Sequence, residues 1–221
     1  MSGAARRRPP APPRVSEPEV AAHLTPWAGA LPDGGTVTSA DLGQAELTVL
    51  EEVQIETSSL DRARAGGAHW ERTSLVDCRL DGADLANLRA RDLALTRCAL
   101  RESRLVGGQL VRSRLQAVQL ENVAANLTSW HESTWRRVVL RGCDLREADL
   151  TGAALSDVLF DECDLAGAQL SGVRCERVRL TGCRLSGLGG VEALRGASVG
   201  EADAVELLPA MARAMGIRIE K

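Results

Sequence analysis

Apolar side chains recur every fifth residue through the middle of this chain. Counting from Leu50 in steps of five to Gly190 gives 29 central positions; 19 are Leu, only Gly190 is not apolar, and the phase never slips. The position two residues earlier is uncharged throughout and holds Thr, Val, Ser, Ala, Cys, Gly and three Leu. The other three positions of each repeat carry nearly all the charge. A helix would repeat at 3.6 residues and a strand at two. A five-residue period with one small and one large inward side chain therefore predicts a short extended segment followed by a corner. Gly at the second residue after the centre (Gly142, Gly152, Gly167, Gly172, Gly182, Gly187) suits such a corner. Corners that recur wind the chain into a solenoid.

The number of sides follows from a second period. Val118, Val138, Val158 and Val178 are spaced by 20, as are Cys143, Cys163 and Cys183 and the pair Cys78 and Cys98. Like residues stacked at 20 imply four sides per coil. Seven coils over 50–190, at the inter-strand spacing of about 4.8 Å, make a rod roughly 34 Å long. The motifs ADLAN (83–87), CDLRE (143–147), ADLTG (148–152) and CDLAG (163–167) make the chain resemble the pentapeptide-repeat proteins. That resemblance covers about 140 of the 221 residues and implies an all-β solenoid, a right-handed quadrilateral parallel β-helix.

Outside the repeats, residues 1–33, rich in Pro and Arg, read as a disordered tail. Residues 34–49 read as an N-terminal cap with the first irregular repeats, because ADL (40–42) and AEL (45–47) are out of phase with Leu50. The β-helix is expected over 50–200, with Leu194 and Val199 shifted by one, and a C-terminal helical cap or dimerisation segment over 201–221. Pro209 should split that segment into two helices. Val205, Leu208, Met211, Ala212 and Met215 form one apolar stripe that either covers the last coil or makes a dimer contact. The resemblance adds that the C-terminal helix forms the dimer interface in some family members. Within the rod, Trp130 and Trp135 both fall on central positions of one coil, where they either pack in a distorted core or bulge out as contact anchors.

Composition narrows the chemistry. The formal net charge is −3, Phe160 is the single Phe and there is no Tyr. No apolar run reaches membrane-spanning length and no signal peptide is visible, so a cytoplasmic, membrane-free protein is expected. The cysteines lack metal-like spacing. Five of them, Cys78, Cys98, Cys143, Cys163 and Cys183, fall on the small inward position and Cys175 on a central one, so they read as small hydrophobes. His69 and His131 point outward about three coils apart, and nothing arranges a nucleophile with a base. No enzyme, cofactor, metal site or small-molecule substrate is expected.

What remains is a surface. The resemblance brings a specific partner: members of this family act on type II topoisomerases, inhibiting DNA gyrase or shielding it from quinolones and toxins as acidic mimics of duplex DNA. Here residues 70–190 hold 16 acids and 17 Arg, which departs from that pattern. Acids are nevertheless concentrated at 142–173 (Asp144, Glu147, Asp149, Asp157, Asp161, Glu162 and Asp164, against Arg146) and form a candidate partner-binding patch. Residues 89–114 carry seven Arg, but with no aromatics between them direct nucleic-acid binding is not expected. The alternative for all these charges is a set of ladders between coils, as in the column Asp61, Asp81, Arg101, Glu121, Arg141, Asp161. The expected function is thus a non-enzymatic protein-binding scaffold, with a gyrase-binding DNA mimic as the alternative.

Overall fold

The computed structural model describes residues 11–219. In chain order the strands are β1 (Thr25–Ala30), β2 (Thr36–Thr38), β3 (Ala40–Glu46), β4 (Val49–Glu51), β5 (Gln54–Glu56), β6 (His69–Glu71), β7 (Ser74–Val76) and β8 (Arg89–Arg91). They continue as β9 (Ala94–Thr96), β10 (Ala99–Arg101), β11 (Gln109–Val111), β12 (Arg114–Glu121), β13 (Thr134–Arg141), β14 (Ala154–Asp161), β15 (Arg174–Thr181) and β16 (Ser198–Val199). One helix, α1 (Glu201–Ala214), closes the chain.

The strands stack in parallel as a four-sided solenoid of about nine turns, a right-handed quadrilateral β-helix. Thr134 pairs with Arg114 below and Ala154 above, a step of 20 residues per coil. One side stacks eight strands, β2, β5, β7, β9 and β12 to β15, and β16 joins β15 on the adjoining side, where the paired layers Asp41, Ser59, Arg79, Ala99, Gln119, Val139, Leu159, Arg179 and Ser198 number nine, so the coils extend beyond the seven predicted. Eight steps of about 4.8 Å make the stack about 38 Å long. Each corner is turned by one residue with positive φ, the second after the centre: Gly142 (58°), Gly152 (72°), but also Asn87 (55°), Leu127 (59°) and Arg137 (53°). The left-handed conformation bends the chain between one five-residue side and the next.

Inside, the two inward positions close-pack along the whole rod. The central Leu column, the small residues and five of the cysteines are buried, and Cys175 is half-buried. All six are free thiols. Burial pushes the Cys98 thiol well above its ordinary pKa and Cys175 up to about 11, so neither is an activated nucleophile.

Both ends depart from the repeat. At the N-terminal end the coil-to-coil step is 18 residues at Asp41–Ser59 and 20 at Val49–His69, so the first coil is two residues short. The Trp70 indole N–H donates to the Leu47 carbonyl at 2.8 Å within this shortened stretch. Below that coil, β1 pairs with β3 as a further edge strand. Residues 25–30, expected in a disordered tail, are therefore part of the sheet. The TPWAGA segment has too little alternation to be read as a strand, and β3 supplies its hydrogen bonds. Residues 1–10 of the expected tail and 220–221 of the C-terminal segment lie outside the described residues.

At the C-terminal end a 3₁₀ turn, Val191–Leu194, shifts the register so that Leu180 pairs with Val199, a step of 19. Helix α1 then lies on the last coil. It is one helix, not two: Pro209 sits inside it. The carbonyl deprived of its partner is that of Val205, on an exposed turn where water can serve.

Candidate interaction surfaces

The seven acids expected to form one patch are distributed around the rod. Asp144, Glu147 and Asp164 lie on one side, Asp149 on the next, Asp157 at the corner of the third, and Asp161 and Glu162 on the fourth. The reason is the winding itself: residues 144–164 make one full coil, so neighbours in sequence face different ways. Four of the seven have an arginine partner. Asp144 pairs with Arg146 at 2.6 Å, Asp157 with Arg177 at 2.5 Å, Asp164 with Arg184 at 3.3 Å and with Arg146 at 3.9 Å, and Asp161 with Arg141 at 3.7 Å. The guanidinium of Arg146 holds the Asp144 carboxyl below its usual range, and that of Arg177 does the same for Asp157.

The charge ladders are formed. Arg101 lies 3.5 Å from both Asp81 below and Glu121 above. Corner residues do likewise: Arg72 stacks on Glu52, Arg97 on Asp77, Arg112 on Asp92 and Arg177 on Asp157. Apart from Asp77, which is buried, these are exposed pairs of small individual worth, and together they fix side chains on the rod's surface.

Trp130 and Trp135 are not contact anchors. They are 1% and 0% exposed and meet edge to face, ring centroids 5.1 Å apart, inside the rod. Ala125, at the preceding central position of the same coil, offsets their volume. Trp130 donates its indole N–H to Thr128 Oγ1 at 3.0 Å, while the Trp135 N–H has no partner within the described residues.

The C-terminal stripe is the opposite case. The face of α1 that covers the last coil is Asp203, Leu207 and Ala210, not the predicted stripe. Val205 (64%), Leu208 (58%), Met211 (47%) and Met215 (73%) are exposed, Ala212 is half-buried, and the exposed apolar run continues through Ile217 and Ile219. At 100° per residue Val205 and Ala212 lie on the far side of the helix from Leu207, Leu208 and Met215 on its flank, and Met211 nearest the buried face. Polar pairing completes the closure of the coil: Glu206 Oε2 accepts the otherwise open Leu185 N–H at 2.6 Å.

A further surface was not read from the sequence. Residues 11–24 run along the edge of the rod, and the side chains there (Gln119, Arg101, Asp77) contact them. The signal was present: Ala99, Val139 and Leu159 put apolar residues on an outward position that is mostly polar elsewhere.

Among the described residues, no group of three or more His, Cys, Asp or Glu is placed to hold a metal, and no helix is long and apolar enough to cross a membrane. Two family models match the chain, a pentapeptide repeat region over residues 68–150 and eight copies of the pentapeptide repeat over 152–187. The chain belongs to the pentapeptide-repeat family. No curated protein matches it significantly in sequence. Among solved structures it is similar to HetL, a pentapeptide repeat protein involved in heterocyst differentiation regulation from the cyanobacterium Nostoc sp. strain PCC 7120, at 19% identity over 80% of this chain and 90% of that one, with a TM-score of 0.42. It is also similar to full-length QnrB1, a plasmid-mediated fluoroquinolone resistance protein (18%, 85% and 99%, TM-score 0.36), and to Rfr23 from the cyanobacterium Cyanothece 51142 (20%, 62% and 88%, TM-score 0.26).

Proposed function

We propose that this pentapeptide-repeat protein is a non-enzymatic protein-binding scaffold that pairs with a second copy of itself through the outer face of α1. The observation that carries the reading is the run Val205, Leu208, Met211, Met215, exposed on α1 and extended by Ile217 and Ile219. A contiguous apolar face of this kind on a protein surface marks a protein contact. A two-fold axis through it lets one patch serve both partners. Two stiff rods then share one long surface whose charges are pre-ordered in ladders.

The geometry favours this over mimicry of DNA. A mimic of duplex DNA needs rows of free acids, and four of the seven acids in the most acidic stretch are matched by arginine. Sedimentation velocity at micromolar concentration tests the pairing: the wild type should run as a dimer and the Leu208→Asp/Met211→Asp double variant as a monomer with unchanged circular dichroism. A monomeric wild type would sink it. In a gyrase supercoiling assay, with and without a quinolone, the scaffold reading expects no effect; inhibition or protection at micromolar protein would reinstate the DNA mimic.

A further inference from the structure

One outward column of the rod differs from its counterparts. On one side the residue before each centre reads Ser59, Arg79, Ala99, Gln119, Val139, Leu159, stacked coil on coil. Ala99, Val139 and Leu159 point away from the core, yet they are 0%, 5% and 6% exposed. The corresponding column on the next side, Arg64, Asp84, Arg104, Ala124, Asp144, Asp164, is largely charged.

Residues 11–21 lie on this edge of the rod. The Val15 carbonyl accepts from Gln119 Nε2 at 3.1 Å, Glu17 pairs with Arg101, the Glu19 N–H donates to Asp77 Oδ1 at 3.3 Å, and the Ala21 N–H donates to the Thr57 carbonyl at 2.9 Å. Every second residue of the segment thus steps down one coil. Two extended residues advance about 6.6 Å against a coil spacing of about 4.8 Å, so the segment crosses the edge obliquely. Pro13, Val15, Pro18 and Val20 are half-buried, and most of their neighbours are exposed. Residues 11–15 also wall a cleft of about 520 Å³ with Gln119, Val139 and Arg141.

Two features set this contact apart from the packing of the rod. It is light: between Val15 and Glu19 one accepted hydrogen bond, one ion pair and one donated hydrogen bond span three coils, so it opens at small cost. It is also generic: the rod reads backbone groups, one carboxylate and small apolar side chains of an extended, proline-rich segment, a kind of ligand that binds with little loss of conformational freedom.

We propose that this edge of the rod is a docking groove for an extended, proline-rich protein segment with a carboxylate that reaches Arg101, and that the chain's own residues 11–21 fill it in cis as a displaceable cover. A partner segment binds by replacing the cover, contact for contact. This surface is separate from the outer face of α1, and its occupancy does not depend on the oligomeric state.

Fluorescence anisotropy with a labelled synthetic peptide of residues 11–24, APPRVSEPEVAAHL, tests the groove on the full-length chain. Glu17→Arg turns the cover's own anchor against Arg101 and touches nothing in the core. If the covered state dominates, the wild type should bind the peptide at least about tenfold more weakly than Glu17→Arg, because the competent fraction is small. The double variant Glu17→Arg/Arg101→Glu should close again on its own cover and return to weak binding, while a peptide carrying the Glu17→Arg change should bind it no better. Equal affinity of wild type and Glu17→Arg would refute the cover, and no binding to either would refute the groove.

Discussion

The two ends of this rod solve one problem in different ways. A β-helix must stop, and each end exposes a row of strand edges. The N-terminal end adds a strand, β1 on β3, and then sends residues 11–24 back along the side of the rod. The C-terminal end adds a helix, which buries Asp203, Leu207 and Ala210 and answers the open Leu185 N–H with Glu206. The strand end hides apolar surface, Ala99 and Val139 among it, whereas the helix end displays it, from Val205 to Ile219. A helix has two sides and needs one to close the coil, so the other is free to carry a contact.

That contrast can be broken most severely where the chain leaves the last coil. At Gly190, φ is 68° and a Cβ would lie 2.5 Å from the Ser171 nitrogen and 2.7 Å from the Leu170 carbonyl carbon, so neither neighbour can yield. Gly190→Ala should cost about 2–5 kcal/mol in denaturant unfolding, from strain and overpacking together. Next come two adjacent leucines. Leu207→Ala removes a buried side chain and should cost about 2–3 kcal/mol. Leu208→Ala, on the exposed face, should change monomer stability by less than about 0.5 kcal/mol while weakening the dimer. If the two effects were reversed, the helix would be seated on its other side. Glu206→Ala leaves the Leu185 N–H to water and should cost about 1–2 kcal/mol.

The smallest effect belongs to the strand end. Hydrogen bonding from Arg97 holds the Asp77 carboxyl below the usual carboxylate range, and the Glu19 N–H contributes in the same direction. A carboxyl depressed in the folded state stabilises above its unfolded pKa and loses that contribution as pH falls. The melting temperature should therefore be flat above about pH 5 and fall as pH drops through about 4, and Asp77→Asn should remove part of that fall.

Much of this architecture was legible before the structure because it is repeated. A weak local preference, such as glycine at a corner or a small residue beside a large one, becomes decisive when 29 repeats agree. The four sides and the buried cysteines follow from that agreement. What occurs once was less legible. The stripe on α1 was found, but apolar spacing measures how much surface a helix can bury and not which side meets the rod; the side that does contains Asp203 and Ala210. The acidic stretch failed as a patch because a solenoid turns linear neighbours onto different sides. The segment over 11–24 has no periodicity, and its order comes from Gln119, Arg101, Asp77 and Thr57, far away in sequence.

Small-angle scattering tests the end-to-end scaffold most directly, because a rod reports its partners in its length. The wild type should have a maximum dimension about twice that of the Leu208→Asp/Met211→Asp variant, as end-on pairing of two equal rods requires. Equal maximum dimensions for the two proteins would contradict the account.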